Sequence, residues 1–153
     1  MNHDIRHSAA APSEPEHQTY LALQRLALHL KDETDQFLKQ EGLTGTQFNV
    51  LRILRGAGDT PLTCGEIAER LLNKDPDVTR LLDRMEKQGL VERVRSEQDR
   101  RVLLTHLSPQ GHEVVARLDG PLAQMHRQQF SHLAPERLRL LLELLDEAST
   151  FKP

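Results

Sequence analysis

The sequence predicts a mainly α-helical fold carrying one small β-hairpin, in the α+β class. Three observations point there. Capping boxes and proline-led helix starts recur along the chain, and leucines repeat at three- and four-residue steps. One stretch, residues 90–107, breaks that period with two short β-rich runs around a polar tip. At 153 residues, with 37% hydrophobic and 28% charged positions, the chain suits a single domain with helical extensions.

The first sixteen residues mix Ser, Ala, Pro, His and charges without apolar periodicity, and read as a disordered arm. A single domain is expected over 17–153. Its first helix spans about 17–40, with Leu23, Leu26, Ala27, Leu30, Thr34, Phe37 and Leu38 on its apolar side and Gly42 as the stop. Thr44 and Gln47 have capping-box spacing and open a second helix, with Phe48, Leu51 and Leu54 inward, ending near Gly56 and Gly58. Thr63 and Glu66 form another such pair, opening a short third helix whose apolar side is Ile67, Ala68, Leu71 and Leu72. Asp75 followed by Pro76 reads as cap and first residue of a fourth helix that closes at Gly89.

Strands are expected over Leu90–Arg95 and Val102–Leu107. Ser108 and Pro109 start a fifth helix, interrupted or bent near Gly120 and Pro121, and a sixth runs from Pro135 to Ser149. The sixth carries leucine at 138, 140, 141, 142, 144 and 145. That is wider than one core-facing stripe, and it suggests a partner helix from a second subunit.

Composition limits the function. The longest apolar run is Tyr20 to Leu23, too short for a transmembrane helix or a secretory signal. A lone cysteine, Cys64, excludes an internal disulfide framework and a cysteine-rich zinc site. A soluble, cytoplasmic protein without membrane association is expected. Aromatic residues at 3%, with no tryptophan, disfavour a stacking platform for single-stranded nucleic acid. No phosphate-binding glycine loop, nucleophile elbow or acid–base constellation stands out, so neither an enzyme nor a bound cofactor or metal is expected.

Net charge is −3, yet residues 80–101 hold seven cations against five anions, a local +2. In the fourth helix Val78, Leu81, Leu82 and Met85 share one face, while Arg80, Arg84 and Lys87 share the opposite one. An outward face of Thr79, Arg80 and Arg84 suits a DNA major groove, where arginine pairs bidentately with guanine. The plainer alternative is a solvated face with ion pairs such as Asp83 with Lys87. The arginine-tipped hairpin that follows favours DNA, since a protruding arginine fits a narrow minor groove. Asp99 stands two residues before Arg101 and is placed to orient it. A module of the same fold that binds protein would not need arginines on both the helix face and the tip.

Three segments carry a further resemblance: Leu62–Leu71, Asp77–Met85 and Gly89–Arg93, in that order. With Asp99-Arg-Arg-Val-Leu-Leu-Thr-His-Leu-Ser-Pro-Gln-Gly111, they resemble the MarR family of multiple antibiotic resistance regulators. Ser108 stands where threonine is usual, and His106 precedes Leu107. The resemblance implies a winged helix-turn-helix over about 44–107, flanked by dimerisation helices at 17–40 and 109–149. It also implies a homodimer on a palindromic double-stranded operator, usually repressing, and released by a small anionic or phenolic effector. The family's recognition-helix role falls on Asp77, Thr79, Arg80 and Arg84. Its wing role falls on Asp99 and Arg101, with Arg100 a phosphate contact. Some members sense oxidants through a cysteine in the first helix. Cys64 instead opens the third helix, and reads as a small buried filler inside a capping box. The spacings of His126 with His132 and of His106 with His112 do not suit a metal site on one helical face.

Overall fold

The computed structural model describes residues 14–150. The expected N-terminal arm lies outside them as far as residue 13, and its last two residues are helical instead. Pro15 occupies a first-turn position, where its missing N–H costs nothing, so α1 spans Pro15–Gln40. It stops at Gly42, whose φ of 75° is the left-handed conformation that glycine adopts without strain. Tyr20, Leu23, Leu26 and Leu28 stand exposed along it. The described residues divide after Gly42 into two compact units.

In the second unit, α2 (Gly45–Gly56) is followed by β1 (Leu62–Thr63), α3 (Cys64–Arg70) and α4 (Val78–Lys87). Then come β2 (Val91–Arg95), β3 (Leu103–Leu107), α5 (Pro109–Gln129) and α6 (Pro135–Ser149). The strands form one antiparallel sheet in the order β1-β3-β2. β1 is two residues long and was not expected from the sequence; it exists because Leu62 and Thr63 pair with Thr105 and Leu104.

Both capping boxes close as expected. Thr44 and Gln47 exchange hydrogen bonds at 3.1 Å in each direction. Thr63 donates its N–H to Glu66 at 2.8 Å and accepts from the Glu66 N–H at 3.2 Å. The buried Gln47 amide then donates to Gln88 at 3.1 Å, tying the start of α2 to the end of α4. The core of the unit is built from Val50, Leu51 and Leu54 of α2, Ile67 of α3, Leu81, Leu82 and Met85 of α4, and Val115 and Leu118 of α5. Each fully buried aliphatic side chain contributes about 1.5–3 kcal/mol.

Four details differ from the sequence reading. α3 ends at Arg70 and Leu71 turns extended, so Leu72 points outward at 84% exposure rather than completing the apolar side. Asp75 accepts the Asp77 N–H at 2.8 Å in a local turn, which moves the α4 cap from Asp75 to Asp77. Leu90 and Val102 fall outside the strands, because their N–H groups bond to Met85 and Asp99 in the flanking turns. Finally, α5 runs unbroken through Pro121. Pro121 forfeits one helical bond, while the buried Leu118 and Leu122 on either side hold the helix to the core. Among the described residues, no helix is long and apolar enough to cross a membrane.

Candidate nucleic-acid interface

The α4 helix begins where the Asp77 carboxylate accepts the Arg80 N–H at 3.0 Å. It closes with the Leu90 N–H on Met85 and the Gly89 N–H on Glu86, the paired bonds of a Schellman motif, with Gly89 at φ 77°. Between these ends Val78, Leu81, Leu82 and Met85 are buried, so the other face must look outward. Thr79, Arg80, Arg84 and Lys87 stand exposed on it. Arg80 lies 3.1 Å from the second Asp77 oxygen and keeps 81% of its side chain in solvent. Both oxygens of Asp77 are thus engaged within the first turn of the helix. Among the described residues neither Arg84 nor Lys87 is held in an ion pair.

The hairpin tip is built by short-range bonds. The Ser96 N–H donates to the Val102 carbonyl at 2.9 Å, closing the loop. Asp99 accepts the Arg101 backbone N–H at 3.0 Å and its Nε–H at 3.2 Å. Those two bonds, the backbone one first, hold the Asp99 carboxyl below its ordinary range. Arg101 is nevertheless 91% exposed, so it is oriented without being covered. Arg95 donates to the Arg100 carbonyl at 2.6 Å and supports the same turn.

Helix and wing are joined by a residue that the sequence reading did not single out. Arg93 on β2, only 13% exposed, donates from Nη2 at 2.6 Å to both Asp83 and Glu86, and from Nε to Glu86 at 3.0 Å. The Glu86 bond is the main cause that raises the Arg93 guanidinium further above its ordinary value, against its partial burial. Asp83 therefore faces Arg93 rather than Lys87. The helix's two carboxylates are drawn toward the wing, and its cations are left outward.

A second junction fixes where α5 begins. Ser108, in the position where threonine is usual in the signature, accepts the Gly111 N–H at 2.9 Å and donates its hydroxyl to the Gly89 carbonyl. A Cβ on Gly111 would lie 2.1 Å from the Leu90 carbonyl oxygen, so only glycine fits there.

Thr79 of the helix and Arg101 of the wing tip converge on one cavity of about 270 Å³. Cys64 lines it too, half-buried, with its Sγ 3.6 Å from the Thr79 hydroxyl. The expected buried filler is therefore an accessible side chain, because it opens α3 at the cavity wall instead of inside the core. Arg80 and Arg84 lie on the outward face of α4, and Arg100 sits exposed beside Arg101. Among the described residues no group of three or more His, Cys, Asp or Glu is placed to hold a metal ion.

The MarR family model matches residues 41–102, from just before α2 to the start of β3. An HTH-type transcriptional regulator of Bacillus subtilis, YsmB, is 31% identical over 119 residues, covering 78% of this chain and 80% of that protein. The homoprotocatechuate degradative operon repressor of Escherichia coli is 30% identical over 110 residues, covering 72% and 73%. A MarR transcription factor from Planctomyces limnophilus superposes with a TM-score of 0.69 at 34% identity, covering 89% of this chain and 98% of that one. The winged helix-turn-helix, the signature at its wing and these relatives agree: the chain belongs to the MarR family.

Proposed function

We propose that this MarR-family DNA-binding regulator acts as a homodimeric repressor in the cytoplasm, binding a palindromic operator and released by a small anionic or phenolic effector. It has no enzymatic role. One observation carries the DNA reading: the exposed cations of α4 and the Arg101 wing tip are presented together, while the acidic groups of the helix are turned onto Arg93. Thr79, Arg80 and Arg84 contact the major groove, with Asp77 fixing the start of the helix. Arg101, oriented by Asp99, enters the minor groove, and Arg100 meets phosphate.

The dimer is supported by α6, which has no buried residue. Its Leu138, Leu140, Leu142 and Leu144 are 37–59% exposed, an apolar surface that an isologous partner helix would cover. The name of the Escherichia coli relative supports repression, and its degradative operon supports a phenolic effector class.

Selection of bound duplexes from a random pool tests the reading, alongside sedimentation of the free protein. The expected results are an enriched inverted repeat and a mass twice 17.5 kDa. A monomer, or a pool without enrichment, contradicts it.

A further inference from the structure

Arg80 on α4 and Arg101 on the wing are gripped in the same way, each by an aspartate just before it. Asp77 accepts the Arg80 backbone N–H at 3.0 Å, and its second oxygen lies 3.1 Å from Arg80 Nε. Asp99 accepts the Arg101 backbone N–H at 3.0 Å and its Nε–H at 3.2 Å. Each carboxylate thus fixes one arginine twice, at the main chain and at the head group. Asp77 is itself held. Its N–H donates to Asp75 at 2.8 Å, and the ring of Pro76 between them fixes the backbone there. A pair as open as this one, with Arg80 81% and Asp77 47% exposed, adds little stability. Its effect is on orientation, since Nε faces Asp77 and the two Nη groups have no partner among the described residues. Arg84, one helical turn further on, has no such anchor among them.

We propose that Asp77 is a positioning residue for base readout, holding Arg80 in the pose whose two Nη groups meet the N7 and O6 of one guanine. Without the grip the long side chain samples many rotamers, and ordering it on the base then costs affinity. The sign of the effect is distinctive. Asp77 brings negative charge toward a polyanion, so by charge alone its removal should tighten binding. Positioning predicts the reverse at the cognate site, and only while Arg80 is present. This role rests on the DNA reading above, whereas the grip itself does not.

The test compares wild type, Asp77→Asn, Arg80→Ala and the double variant of the full chain. Asparagine caps a helix as well as aspartate, so the denaturant midpoint of Asp77→Asn should stay near wild type. Its amide nitrogen is a donor and cannot hold a guanidinium. Titrations use the operator selected from a random pool, that operator with each base pair changed in turn, and a duplex of random sequence. Asp77→Asn should lose about fivefold in operator affinity per subunit and as much of its guanine preference at one position. On the random duplex it should gain about twofold, and in the Arg80→Ala background it should cost the operator nothing. Equal losses on operator and random duplex, an undiminished base preference, or the same loss without Arg80 overturns the role. Nitrogen-15 relaxation of the free protein reads the grip without DNA. The Arg80 Nε–H should be more ordered than that of Arg84 in wild type, and no more ordered in Asp77→Asn. Equal mobility of the two in wild type overturns the grip. If the pool yields no operator, the DNA reading fails separately, and the readout role falls with it while relaxation still decides the grip.

Discussion

The Arg93 guanidinium on β2 lies 2.6 Å from the Asp83 carboxylate on α4. This contact joins the two elements that a winged helix presents to DNA, and Glu86 shares it at the same distance. It has two consequences. The wing cannot swing independently of the helix without breaking a charge cluster whose arginine is mostly covered. The two carboxylates that would otherwise repel phosphate are neutralised by Arg93.

Arg93→Met tests both. Its partners are close to half exposed, so the unpaired carboxylates rehydrate and the loss of stability should be modest, about 1–2 kcal/mol by denaturant unfolding. Operator affinity should fall more, about tenfold, with the wing loosened and negative charge uncovered near phosphate. Arg93→Lys should recover part of it, since an ammonium lacks the planar fork that meets both acids. Unchanged affinity in Arg93→Met would remove the linkage from the account.

Arg84 and Arg101 should fail in different ways. Arg84→Ala should lose about 1–3 kcal/mol and relax preference at one position per half-site, as expected for a base-reading arginine. Arg101→Ala should weaken all sequences, most where an A·T-rich flank narrows the minor groove, and lower the salt slope by about one unit per subunit. Both side chains are exposed, so melting temperatures should stay near wild type. Titrations on an operator panel at several salt concentrations separate the two patterns.

Gly111→Ala should cost about 3 kcal/mol, because its new Cβ would press on the Leu90 carbonyl, which is backbone and cannot yield as a side chain would. Gly56→Ala is the control. It sits at the end of α2 with nothing within 4 Å of a new Cβ, and should be neutral or stabilising by up to about 1 kcal/mol. Denaturant midpoints of the two variants measure the contrast.

What was legible in the sequence is what acts over a few residues. The Thr44 and Thr63 boxes reach three positions along the chain, and the Asp99–Arg101 bond reaches two. Spacing alone therefore revealed both. The buried stripe of α4 was legible for the same reason, as was the full span of α6, Pro135–Ser149. The start of α4 was misplaced because two acids compete there: Asp75 builds a turn that hands the cap to Asp77. Arg93 was visible as one charge among seven and as the end of a signature segment, but not as a link, because its partners on α4 depend on how β2 folds back. The pairing of β1 with β3 spans about forty residues and leaves no local mark. Cys64 was legible as the opening residue of a helix, but the wall facing it comes from α4 and β3.

Half-site spacing tests the central claim most directly, that two copies of this chain read one operator through α4 and the wing together. In a dimer the recognition helices enter major grooves about one helical turn, roughly 10 bp, apart. Equilibrium binding to the selected operator should be compared with binding to the same operator carrying about 5 bp more between its half-sites. The account predicts that this insertion places the half-sites on opposite faces of the duplex and abolishes tight binding, while about 10 bp more restores the facing but not the distance. Tight binding that survives the half-turn insertion unchanged would contradict it.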